Sequence, residues 1–140
     1  VASIDGELVN LGDTNISYSP EIVAGNIFAY RPTETLQLAL LSKYVGEQYL
    51  GNIDSEASIL DSYFVNDFNV NYTLRNLGFM ESLTFTGLVN NIFNTEYVPN
   101  GYFFTFDDDF TNPGTVTTVE GVGYYPAATI NYLVGVTARF

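Results

Sequence analysis

Few side chains in this sequence can do chemistry, and their types narrow it quickly. Asp107-Asp108-Asp109 is a run of three carboxylates. Hard oxygen ligands of this kind suit Ca²⁺. The residues that follow, Phe110-Thr-Asn-Pro-Gly, lack the EF-hand pattern and place no Glu at its spacing, so the run reads as a solvated acidic loop and no metal is assigned. Just before it, Tyr102, Phe103, Phe104 and Phe106 crowd together, with Tyr97, Tyr124 and Tyr125 at the borders of the same segment. Such rings offer a flat surface to a planar ligand. They equally suit an aromatic girdle at a membrane interface, or packing within a loop. The chain has no His and no Cys. That removes the common catalytic triads, disulfides, thiolate chemistry and most zinc sites. Gly121-Val-Gly123 lacks the third glycine and the following helix of a nucleotide loop. The sequence holds no two carboxylates at a defined separation, so no catalytic residue is named. The expectation is a non-enzyme without a cofactor.

The elements that must position these residues have a period of two. Over 128–140 the even positions read Ala128, Ile130, Tyr132, Val134, Val136, Ala138 and Phe140, and the odd positions are mostly small or polar. That is a strand of about 13 residues; soluble strands usually run about 5 to 6, while a tilted membrane-spanning strand needs about 9 to 11. The same pattern places strands at approximately 20–31, 34–50, 62–75, 82–97 and 124–140, with 1–11 as the tail of one more. Asn66 is the polar intruder on an otherwise apolar face, and Gln37, Lys43, Glu47 and Asp67 fall on the polar faces. The connectors alternate: short turns at 31–34 and 75–81, long loops at 50–61 and 98–123.

Composition agrees. Only 14 % of the residues are charged, against about 25 % in an average soluble domain, while Tyr and Phe supply 11 each. The net charge is −12, with four basic and sixteen acidic residues, which excludes the basic stripe that nucleic acid requires. No apolar run approaches the roughly 18 to 20 residues of a transmembrane helix. Of the acids, only Glu34, Asp67 and Glu81 lie away from the long-loop side, whereas Arg31, Arg75 and Arg139 lie at the short-turn side. Short turns at one end, long acidic loops at the other and long alternating strands between them are the pattern of a transmembrane β-barrel.

Several stretches then carry a resemblance. They are Gly87-Leu-Val-Asn-Asn-Ile-Phe-Asn-Thr-Glu-Tyr97, Asn100-Gly-Tyr102, Tyr124-Tyr-Pro126 and Asn131-Tyr-Leu-Val-Gly-Val-Thr-Ala-Arg-Phe140. Upstream stand Ser19-Pro20 opening a strand that ends Tyr30-Arg31-Pro32, and Tyr44-Val-Gly-Glu-Gln-Tyr49. In this order they resemble the C-terminal end of TonB-dependent outer-membrane receptors, of the siderophore, haem and cobalamin type rather than the glycan importers. The resemblance implies an all-β, antiparallel transmembrane fold, a 22-stranded barrel of which 1–140 would supply the last five or six strands, without the plug domain. It implies a place in a Gram-negative outer membrane, with long loops extracellular and the C-terminus on the periplasmic side. It also implies partners: lipid and lipopolysaccharide, the remainder of the barrel and its plug, TonB acting through that plug, and a scarce nutrient such as a ferric siderophore. On the same analogy, Tyr132, Val134, Val136, Ala138 and Phe140 would form the signal read by the barrel assembly machinery. The chain opens at Val1 without a Met and is read as the end of something longer. Two alternatives stay open: a substrate held by the assembly machinery through its terminal strand, and a secreted β-sandwich binding module.

Overall fold

The computed structural model describes every residue from Val1 to Phe140. The strands in chain order are β1 (Ala2–Ile4), β2 (Glu7–Val9), β3 (Val23–Tyr30), β4 (Leu36–Val45), β5 (Gln48–Tyr49), β6 (Ile59–Leu60), β7 (Tyr63–Arg75), β8 (Ser82–Asn90), β9 (Asn100–Asp108), β10 (Thr117–Tyr125) and β11 (Asn131–Arg139). One 3₁₀ turn spans Glu56–Ser58, and there is no α-helix. All paired strands are antiparallel, so the all-β, antiparallel class read from the sequence holds. The chain divides into two compact units.

The sheet unit comprises Val23–Val45, Tyr63–Glu96 and Ala128–Phe140. It is one five-stranded sheet in the order β11-β8-β7-β4-β3. Its register lines up the alternation of β4, β7, β8 and β11. On one face run the rows Leu36, Tyr72, Phe85, Val136; Leu38, Val70, Gly87, Val134; and Leu40, Phe68, Val89, Tyr132. The opposite face carries Gln37, Asn71, Thr86; then Thr73, Thr84, Thr137; then Arg75, Ser82, Arg139. A period of two makes this segregation automatic once one pair is in register. The polar face is hydrogen-bonded along and between strands: within β7 Asn71 Nδ2 donates to Asn69 Oδ1 (2.6 Å), and from β8 to β7 Thr86 Oγ1 donates to Asn71 Oδ1 (2.9 Å) and the Thr84 and Thr73 hydroxyls lie 3.0 Å apart. Two concavities open on this side, bordered by Gln37, Asn71, Thr73 and Arg75 and by Ser82, Thr84, Thr137 and Arg139.

The loop unit comprises Val1–Ile22, Gly46–Ser62 and Tyr97–Ala127. It contains three two-stranded pieces, β1-β2, β5-β6 and β9-β10. Its small core is formed by Leu50 and Leu60, with Ser58 fully buried beside them. Ser58 is satisfied by donating its hydroxyl to the Ser55 carbonyl (2.8 Å).

Several boundaries differ from the sequence reading. The segment 1–11 is not the tail of a long strand but a tight hairpin. Asp5 (φ 52) and Gly6 (φ 81) both take positive φ, as a two-residue type I′ turn requires. The long loop expected over 98–123 is itself built as a hairpin, with β9 and β10 pairing along all nine residues. The strand expected over 34–50 leaves the sheet after Val45; the Gly46 N–H turns to the Ile22 carbonyl (2.8 Å) and Gln48 pairs with Leu60. Glu47 thereby falls in the loop unit rather than on the polar sheet face. The strand expected over 82–97 stops at Asn90, because Asn91 adopts φ 52.

Candidate functional site

The aromatic segment folds as the β9-β10 hairpin, and alternation sorts its rings. Tyr102, Phe104 and Phe106 share one face of β9 and stand opposite Gly123, Gly121 and Val119 of β10. Their rings form a ladder: Tyr102 to Phe104 is 6.3 Å between centroids with planes 13° apart, and Phe104 to Phe106 is 6.3 Å at 18°. Tyr125, on the same face, closes one end at 6.0 Å and 51° from Tyr102. The rings lie across the facing strand because that strand has glycines there. A Cβ added at Gly121 would run into the Phe104 ring, and one at Gly123 into the Tyr102 ring. Each of the three ladder rings remains 48–52 % exposed. Phe103 does not belong to this surface. It points to the other face, where its ring fills the space above Gly51. Tyr124 shares Phe103's face and donates its hydroxyl to the Ala57 carbonyl (3.3 Å).

The three aspartates do not converge. No group of three or more Asp, Glu, His or Cys side chains is placed to hold a metal ion. Asp107 accepts from Ser3 Oγ and from Thr118 Oγ1, both at 2.6 Å. These hydrogen bonds, Ser3 first and then Thr118, hold its carboxyl below the ordinary carboxylate value. Asp108 points the opposite way and accepts the backbone N–H groups of Phe110 (3.0 Å) and Thr111 (3.2 Å). Its carboxyl is also lowered, chiefly by the Thr111 side chain. Asp5 completes the clasp around Thr118: the Asp5 N–H donates to Thr118 Oγ1 (2.7 Å) and the Thr118 N–H to Asp5 Oδ1 (2.9 Å).

Charge is distributed unequally. The loop unit holds twelve Asp and Glu and no Lys or Arg, so the whole net charge of −12 resides in it. The sheet unit balances Glu34, Asp67, Glu81 and Glu96 against Arg31, Lys43, Arg75 and Arg139.

The Val89-Asn-Asn-Ile-Phe-Asn94 stretch makes a structural joint. Asn91 is 4 % exposed. Its Nδ2 donates to the carbonyls of Thr95 (2.8 Å) and Ala128 (3.4 Å), and its Oδ1 accepts from the Thr95 N–H (2.9 Å). Asn94 Oδ1 accepts from the Ile130 N–H (3.0 Å). The two asparagines thus connect the exit of β8 to the entry of β11. Asn66, the intruder on the apolar face, accepts from Ser42 Oγ at 2.6 Å, and its buried Nδ2 has no partner. The terminal residues Tyr132, Val134 and Val136 stand exposed on the apolar face of β11, which is an edge of the sheet, with Ala138 on the same face; Phe140 follows the strand and is exposed too.

No protein-family model and no curated protein matches this sequence. Among solved structures it is similar to the ferric-catecholate import receptor Fiu from E. coli K12 in its open form. The TM-score is 0.62 at 20 % identity, over 88 % of this chain and 16 % of the receptor. The fold is that of a β-barrel fragment. The chain spans about a sixth of the length of that receptor. An antiparallel sheet similar in fold to part of an outer-membrane receptor agrees with the all-β, barrel-type pattern in the sequence.

Proposed function

We propose that the chain is the C-terminal wall and loop portion of an outer-membrane, TonB-dependent transporter that imports a scarce nutrient, with a ferric siderophore or another iron carrier as its cargo. The long strands would span the membrane, the long loops would be extracellular, and the short turns and Phe140 would lie on the periplasmic side. The observation that carries this reading is the exposed apolar face of a single-layer sheet. Phe28, Phe64, Phe85 and Val134, each on a different strand, are 66, 51, 41 and 73 % exposed. A soluble monomer rarely leaves so large an apolar surface uncovered. Lipid covers it at no cost, while the hydrogen-bonded polar face suits a wet lumen. A β-sandwich would instead bury one face of this sheet against a second sheet, so the exposure favours the barrel.

In lipid, the free edges of β3 and β11 must be paired, which the remaining barrel strands would do. The alternating edge of β11 suits recognition by strand addition during assembly. The energised step belongs to the plug and TonB, and this chain contributes wall and loop surface. The test is a denaturing gel of outer-membrane extract, unboiled and boiled, with mass spectrometry of every band that contains the peptide 131–140. A heat-modifiable band several times larger than 15.5 kDa is expected. A 15.5 kDa species that stays soluble without detergent would return the sandwich module.

A further inference from the structure

We infer that the ring ladder of β9 takes a cationic small molecule, which under the transport reading on which this inference rests is an iron complex bearing a free ammonium group. Three observations lead there. The ladder is a built surface: Tyr102, Phe104 and Phe106 are aligned within 13° and 18° of one another, seated on the strand that holds Gly121 and Gly123, and half exposed. Aromatic ring faces carry the negative side of the quadrupole and attract ammonium or guanidinium groups within about 6 Å. The unit that carries the ladder has twelve acids and no Lys or Arg, so no basic side chain of its own competes for these rings. Asp108 is the next residue on the same face beyond Phe106.

The summed field of these carboxylates raises the local concentration of cations and repels anions. A ferric tris-catecholate is a trianion and meets that field with the wrong sign. A neutral complex gains only ring contact. A complex with an ammonium arm gains ring contact, cation–π attraction and the field together. The charge of the loop unit therefore discriminates among iron carriers that the rings alone would accept.

The test uses the purified outer-membrane protein in detergent and titrates tyrosine fluorescence with four probes. These are a ferric tris-hydroxamate with a free ammonium group, its N-acetylated twin, a ferric tris-catecholate, and iron-free phenyltrimethylammonium. The ammonium complex is expected to bind about tenfold more tightly than its acetylated twin at low ionic strength, and the advantage shrinks as salt screens it. Phe104→Leu, which keeps apolar bulk and removes the ring, should bring that ratio close to one. Equal binding of the twins, or tighter binding of the tris-catecholate, overturns the inference and leaves iron transport standing. Binding of phenyltrimethylammonium alone upholds the cation platform and removes the iron-carrier reading. Binding of no probe overturns the platform, while the gel experiment decides the barrel separately.

Discussion

The backbone N–H of Asn91 donates to the Asp67 carboxylate at 2.8 Å, and this bond marks where β8 stops running beside β7. Asn91 takes φ 52 at that point, and the next N–H, of Ile92, returns to the Asn66 carbonyl at 2.9 Å. A left-handed residue of this kind lets the strand turn without leaving a donor unpaired. Asn is among the few side chains that tolerate such a φ.

Asn91→Ala should therefore lose both the side-chain hydrogen bonds and the conformational preference. Leaving the Thr95 N–H and carbonyl without partners in a buried joint costs about 2 to 4 kcal/mol. Asn91→Gly keeps the backbone conformation and should cost clearly less. Urea unfolding of the lipid-reconstituted protein reads the two values. Equal losses for Ala and Gly would mean that the hydrogen bonds alone matter.

Charge on the two faces of β11 should have unequal effects. Val134 lies in the row with Leu38, Val70 and Gly87, and Thr137 in the row with Thr73 and Thr84. On the proposed barrel reading, Val134→Arg on the apolar face is expected to destabilise by about 2 to 4 kcal/mol, and Thr137→Arg by much less. The same unfolding measurement checks it, and equal costs would refute the facing assignment.

The sequence disclosed the sheet better than the loops, for a physical reason. Alternation is imposed on every strand of a sheet whose two faces meet different surroundings, so Tyr72, Phe85 and Val136 could be put on one face by parity alone. The loop unit answers to no such solvent boundary. Its 98–123 segment is rich in Gly, Asp, Asn and Thr, which reads as loop composition. Yet Tyr102, Phe104 and Phe106 already alternate, and the two glycines that seat their rings stand in Gly121-Val-Gly123. Treating the rings as one cluster put Phe103 with its neighbours, when parity alone would have set it apart. The Asp5-Gly6 dipeptide was a hairpin signal of the same local kind. What could not be read was the pairing of Ser3 and Asp5 with Asp107 and Thr118, because contacts between distant hairpins leave no periodic trace.

Filling the glycine seat should dismantle the ladder while sparing the hairpin. Gly121→Val places a branched side chain where the Phe104 ring now lies. The ring must move outward, and overpacking of this kind costs about 1 to 3 kcal/mol. The β9-β10 amides should keep their exchange protection, while the aromatic near-ultraviolet dichroism of the ladder falls. Gly25→Val, whose added Cβ meets only the Ser42 carbonyl at 3.9 Å, is the control and should leave that signal unchanged.

The clasp at Asp107 should respond to acid. Its carboxyl is held below the ordinary value in the folded chain by the Ser3 and Thr118 hydroxyls. The unfolded chain therefore binds the proton more readily, and the stabilisation is complete above the ordinary carboxylate range and lost as pH falls through the lowered folded value. Asp108 acts in the same direction through Thr111 and the Phe110 N–H. Exchange protection of the Asp5 and Thr118 amides, corrected for intrinsic rate, should be constant near neutrality and drop in acid below about pH 4. Asp107→Asn cannot titrate, so it should flatten the acid-dependent part of that drop that belongs to Asp107. A drop of unchanged size in the Asn variant would assign the acid response to other carboxylates of the loop unit.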